Sequence, residues 1–143
     1  AAQWIKLIQL LLHREPELRV FLLGAPGEHT LAESIRLASE SGQVHNLAGE
    51  LSFLESAALM SKAGMNYVND SAPLHLASAM NAPVTAVFCS TVPEFGFGPL
   101  STRQRVIQTS RQLSCRPCGI HGFRACPKGH FQCATTIDPQ ELL

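Results

Sequence analysis

The sequence predicts an α/β fold: a Rossmann-like parallel sheet with helices on both faces. Two observations carry this. Helical and strand patterns alternate from residue 3 to residue 88, the order that builds a parallel sheet covered by helices. The run "LRVFLLG" (18–24) is a continuous apolar stretch ending in Gly, as a buried parallel strand would be, and "PVTAVF" (83–88) reads as a further strand.

The elements follow in order. "QWIKLIQLLLHR" (3–14) sets Trp4, Leu7, Ile8, Leu11 and Leu12 at helical spacing, and Glu15-Pro16 stops it. "LRVFLLG" is a strand ending in Gly24. "TLAESIRLASESG" (30–42) is a helix, with Thr30 and Glu33 in a capping-box pattern and Gly42 as its stop. "QVHNL" (43–47) is a short strand. "SFLESAALMSKAG" (52–64) repeats the helix grammar, with Ser52 and Glu55 as cap and Gly64 as stop. "MNYVN" (65–69) is a strand, "PLHLASAMN" (73–81) a helix with Pro73 in its first turn. "PVTAVF" is the clearest strand, rich in β-branched residues. "CSTVPEFGFGPLS" (89–101) reads as a long loop, "QRVIQT" (104–109) as one more strand, and 113–133 as a cysteine-rich loop. "DPQELL" (138–143) opens a helix, with Asp138 as cap, Pro139 first and Glu141 closing a capping-box pattern.

The bulk composition narrows the function. The chain has 143 residues, with Lys+Arg and Asp+Glu both 11, so its formal charge is zero. A nucleic-acid surface would show a basic excess, and no nucleic-acid partner is expected. Charged residues make up 15%, against about 25% in typical soluble domains, as when a further domain covers one face. No apolar run approaches the ~20 residues of a membrane helix. The start "AAQW" reads as a chain cut within a longer protein.

In parallel α/β sheets, ligands bind at the carboxyl ends of the strands. The junction "NDSAPLH" (69–75) lies at such an end and at a helix start, where free N–H groups and the helix dipole favour a phosphate or diphosphate. Asp70 and Ser71 offer hydrogen bonds beside it. The plainer alternative is that Asp70 or Ser71 caps the helix and that His75 is a half-buried histidine. Ser71 and His75 do not form a convincing hydrolase pair, because G-x-S-x-G is absent. Upstream, "LLGAPGEHTLAE" (22–33) brings Glu28 to a strand end, where an acid can bind ribose hydroxyls. It can equally complement the helix dipole.

Four stretches carry a family resemblance: "VFLLGAPGE" (20–28), "LAGELSFLESAALMSKA" (47–63), "NDSAPLHLASAMNAPVTAVF" (69–88) and "LSCRPC" with its later cysteines (113–133). In this order and spacing they resemble the C-terminal domain of a family 9 glycosyltransferase, the bacterial heptosyltransferases. The resemblance implies the C-terminal half of a GT-B fold, with residues 1–143 as the sugar-nucleotide domain and an N-terminal acceptor domain outside this chain. It implies an ADP-sugar donor, ADP-heptose, and an inverting transfer to the lipopolysaccharide inner core. That acceptor would be met at the cytoplasmic face of the bacterial inner membrane, by an enzyme peripheral to it. It further implies that Glu28 meets the ribose, Leu51 the adenine and Asp70 the donor sugar. Ser71 and Ala72 would present N–H groups to the diphosphate, with His75 supporting them. Ala72 stands where the family often has Gly. No catalytic residue is expected here, since the family's base lies in the N-terminal domain, and no cofactor is required. Competing readings are another GT-B enzyme, such as a nucleotide-sugar epimerase or other glycosyltransferase, and a zinc-dependent interaction module.

The last reading rests on Cys115, Cys118, Cys126 and Cys133, whose C-x2-C-x7-C-x6-C spacing has the form of a structural zinc knuckle. His121 and His130 are stand-in ligands. The alternative is reduced thiols packing as small hydrophobes, which the resemblance favours, since zinc is not a hallmark of the family. Cys89 is expected to be a buried strand-end residue. Arg103, Arg105, Arg111, Arg116 and Arg124 give a mildly basic tail, able to face anionic lipid or the diphosphate.

Overall fold

A computed structural model describes residues 1–143. The chain is α/β, with every strand pair parallel. It divides into two compact units, residues 1–56 with 139–143 and residues 57–138. The strands hydrogen-bond as two sheets rather than the expected single one. Apolar runs mark a strand but do not name its neighbour, and β1 (Val20–Leu22) is not the buried strand its run predicts: Val20 and Leu22 are half-buried and Phe21 is exposed.

The first unit opens with α1 (Ala2–Arg14), β1 (Val20–Leu22), α2 (His29–Ala38) and β2 (Val44–Asn46). β1 pairs with β2, Val20 opposite Val44 and Leu22 opposite Asn46. Ile8, Ile35 and Val44 form a core closed by Trp4, Ile5, Leu12, Val20 and Leu22. The stripe at helical spacing on α1 is therefore its buried face. The pairing continues past the strands through Leu47 N–H to Leu22 carbonyl and Gly49 N–H to Gly24 carbonyl, both 2.9 Å. This draws together the loops that carry Glu28 and Leu51.

Two details of α2 depart from expectation. It starts at His29 after a 3-10 turn, Pro26–Glu28, so Thr30 lies inside the helix. Glu33 instead pairs with Arg36 at 2.6 Å and accepts from Asn46 Nδ2 at 3.2 Å. The helix ends at Ala38, and the left-handed residue after it is Glu40 (φ 50), not Gly42. At Ser52 the capping box does form: its N–H and hydroxyl donate to the Glu55 carboxylate at 2.8 and 2.7 Å. These residues start α3 (Phe53–Lys62), in which the boundary between units falls. The C-terminal segment is one 3-10 turn, Pro139–Leu142, rather than an α-helix; six residues leave little length for one. It packs on α1 with Pro139 and Leu142 buried.

The second unit holds β3 (Asn66–Asn69), α4 (Ala72–Ala79), β4 (Val84–Phe88), β5 (Gln104–Gln108) and a four-residue α5 (Gln132–Thr135). The sheet order is β3-β4-β5. β4 is central and buried throughout, which is why its sequence does not alternate. Leu74 and Phe88 are wholly buried, each such side chain contributing about 1.5–3 kcal/mol. Buried Asn66 is satisfied by donating to the Met60 and Pro83 carbonyls. α5 begins inside the segment 113–133 expected to be loop and ends two residues beyond it.

Candidate functional site

β3 ends at Asn69 and α4 begins at Ala72, leaving Asp70 and Ser71 as the joint. The joint is tied to the sheet by Asp70 N–H donating to the Val87 carbonyl at 3.1 Å. Neither side chain caps the helix. Ser71 stands at the cap position in an extended conformation without a side-chain cap bond, and its hydroxyl reaches the Asn69 carbonyl at 3.4 Å. The Asp70 carboxylate instead accepts the hydroxyl of Thr91, a buried residue beyond β4. The capping role, worth about 1 kcal/mol, is therefore not how this acid is used. Pro73 sits in the first turn and has no N–H to satisfy. Ala72 is not among the positive-φ residues, so its Cβ costs no backbone strain.

Asp70, Ser71, Ala72 and His75 line one cleft of about 290 Å³. That is just below the usual range for small-molecule sites, about 300–1,000 Å³. Three further residues complete the lining: Phe97, Ile120 and His121. Phe97 stands edge-on to the His75 ring, with centroids 6.5 Å apart. The structure thus brings together four of the six predicted donor residues. Glu28 and Leu51 belong to the first unit. There the exposed Glu28 accepts the Ala25 N–H at 2.8 Å, and Leu51 is half-buried beside the Gly49 turn.

Phe97, Ile120 and His121 were missed as cleft residues, and Thr91 as the partner of Asp70. Their signal was weak, because each lies in a loop far along the chain from the joint. His121 had been read only as a stand-in metal ligand. Arg116 also differs from expectation. Its guanidinium is turned inward, donating to the carbonyls of Cys89 at 2.7 Å and Thr91 at 2.8 Å and to Gln108 Oε1 at 2.7 Å. It stitches the cysteine loop to the end of β4 and is spent on that task.

All five cysteines are free. Cys118, Cys126 and Cys133 share the lining of a small, mostly apolar cavity with Phe123 and Phe131. Cys115 lies outside that lining, 3.9 Å from His130 Nε2. No group of three or more His, Cys, Asp or Glu side chains is gathered at ligand spacing. The Phe131 N–H donates to the Cys126 sulfur at 3.4 Å and lowers that thiol's pKa. Burial raises the Cys133 thiol, and the nearby Cys118 and Cys126 add to it. Cys89 lies just past β4 and is half-buried rather than buried. Desolvation still pushes its thiol up to about 11.

The sequence profile of glycosyltransferase family 9 (heptosyltransferase) matches residues 1–122. The chain belongs to that family. The match takes in every residue lining the cleft and stops inside the cysteine loop, so Cys126 and Cys133 lie beyond it. Among characterised relatives, lipopolysaccharide heptosyltransferase 2 of Escherichia coli K12 is 30% identical over 130 residues. The protein of the same name from Salmonella typhimurium LT2 is equally similar. Each alignment covers 87% of this family 9 chain and 35% of the relative, so the chain spans about a third of their length. The solved E. coli ADP-heptose LPS heptosyltransferase II superposes with a TM-score of 0.76 at 26% identity, over 98% of this chain and 38% of that one. A family 9 glycosyltransferase from Veillonella parvula shares the fold, with a TM-score of 0.65 at 18% identity, over 73% of this chain and 29% of that one. The α/β architecture is thus the GT-B-like fold of these enzymes. No helix is long and apolar enough to cross a membrane.

Proposed function

We propose that this chain is the donor-binding part of a glycosyltransferase that moves heptose from ADP-heptose to the lipopolysaccharide inner core with inversion. One observation carries the reading: the cleft at the β3–α4 joint has an uncapped helix start and an acid held away from that start. The uncapped N–H groups suit a diphosphate, as helix amino ends generally do. Asp70 is fixed by Thr91 and keeps a carboxylate oxygen for the hydroxyls of the donor sugar. His75 flanks the phosphates. Glu28 takes the ribose and Leu51 the adenine. The names of the E. coli and Salmonella relatives support the choice of heptose and lipopolysaccharide.

In the reaction, an acid of an N-terminal acceptor domain outside this chain takes the proton of an acceptor hydroxyl. The oxygen attacks the anomeric carbon, and the bond to the β-phosphate breaks. ADP leaves with the electron pair, stabilised by amides already oriented toward it. No metal or other cofactor is required, because protein groups neutralise the departing charge. The enzyme works at the cytoplasmic face of the inner membrane, where its acceptor is presented.

Titrating ADP-heptose into the chain and into Asp70→Ala tests this. The variant should lose at least about tenfold in affinity, 1.4 kcal/mol, with little loss of thermal stability. Unchanged affinity would remove Asp70 from the donor site. Preference for UDP over ADP in the parent chain would point to another GT-B enzyme.

A further inference from the structure

The cysteine loop is the part of the chain the function above does not use. Its first half is fastened to the segment after β4. Cys118 N–H donates to the Ser90 carbonyl at 2.8 Å. Arg116 holds the Cys89 and Thr91 carbonyls. Gly122 (φ +72) packs so closely that a Cβ there would come within 2.5 Å of Ser90 Oγ. Between these anchors lies the turn 119–121, whose Ile120 and His121 line the cleft with Asp70, Ser71, Ala72 and His75.

We propose that residues 118–122 form a wall of the donor cleft and that His121 is a donor-binding residue, contacting the β-phosphate of the nucleotide. This rests on the donor reading above and assigns a residue to it. The cleft lining contains no Lys or Arg. Its ionisable hydrogen-bond donors are His75 and His121, and an imidazole N–H is a suitable partner for a phosphate oxygen. Asp70, the acid of the lining, is engaged by Thr91 and cannot serve an anion. The sugar ring then meets the apolar sides of Phe97 and Ile120. The anchors make the wall rigid, since Thr91 carries both the Arg116 contact to the loop and the hydroxyl that holds Asp70.

The test is calorimetric binding of ADP and of AMP to the chain and to His121→Ala and His121→Gln. His121 is exposed, so neither substitution opens the core. The Ala variant should weaken ADP about tenfold or more, the loss of one charge-assisted hydrogen bond, and AMP less than about twofold. Gln, which keeps a donor, should recover part of the ADP loss. Equal weakening of ADP and AMP, or no weakening of either, overturns the assignment of His121 and leaves the donor reading standing. If the unaltered chain binds neither nucleotide, the donor reading fails and this inference with it.

Discussion

Asp70 and Glu33 show how one side chain's use depends on its neighbours. Each sits where sequence grammar offers a capping role, and neither takes it. Asp70 accepts from Thr91, twenty-one positions on, and Glu33 from Arg36 and Asn46. The Glu33 case has a pH consequence. The Arg36 hydrogen bond, aided by Asn46, lowers its pKa from 4.5 to about 2. A depressed folded-state pKa means stability that is present above the unfolded value and is lost as protons bind the folded carboxylate. The contribution is therefore full above pH 4.5 and disappears as pH falls toward 2. Glu33→Gln should melt lower than the parent at neutral pH, and the gap in Tm should narrow through that window. A gap that stays constant to pH 2 would show that the pair is not linked to folding. Hydrogen bonds made within a few residues could be anticipated from spacing, as Ser52 with Glu55 was. Those to Thr91 and Asn46 depend on how the chain returns.

Element by element, the alternation of helices and strands was legible from residue 3 to residue 88, with boundaries off by at most four residues. The apolar period survives because it is set by burial, whereas the ends are set by local hydrogen bonding. Glu40 and Asn81 adopt positive φ (50 and 49) after their helices, a position usually given to Gly. Gly49 is the converse case, a glycine the fold requires. Its φ is +81, and a Cβ would stand 2.7 Å from the Pro26 Cα. Gly49→Ala should cost about 1–3 kcal/mol, read as a lower urea midpoint with unchanged slope. A midpoint equal to the parent's would mean that the two loops can part. The cysteine loop was the least legible element. Its anchoring by Arg116 follows from contacts to Cys89, Thr91 and Gln108, which no local pattern encodes.

For the molecule as a whole, family membership and the GT-B-like fold agree with the resemblance carried by "NDSAPLHLASAMNAPVTAVF". The proposed chemistry places the burden of neutralising a diphosphate on amides and imidazoles rather than on an ion. Exhaustive chelation should therefore leave ADP affinity unchanged and the melting transition in place. Stoichiometric zinc in the purified chain, with unfolding on its removal, would restore the knuckle reading of Cys115, Cys118, Cys126 and Cys133. Loss of ADP binding alone would put a metal in the donor site.

The order of elements and the position of the β3–α4 joint were determined by the sequence itself. Each follows from spacing and residue type over a dozen positions or fewer. Tertiary structure decided which strands pair, that Thr91 and not the helix start receives Asp70, and that His121 reaches the cleft. Those contacts join residues 18 to 51 positions apart, and only the closed chain sets their distances.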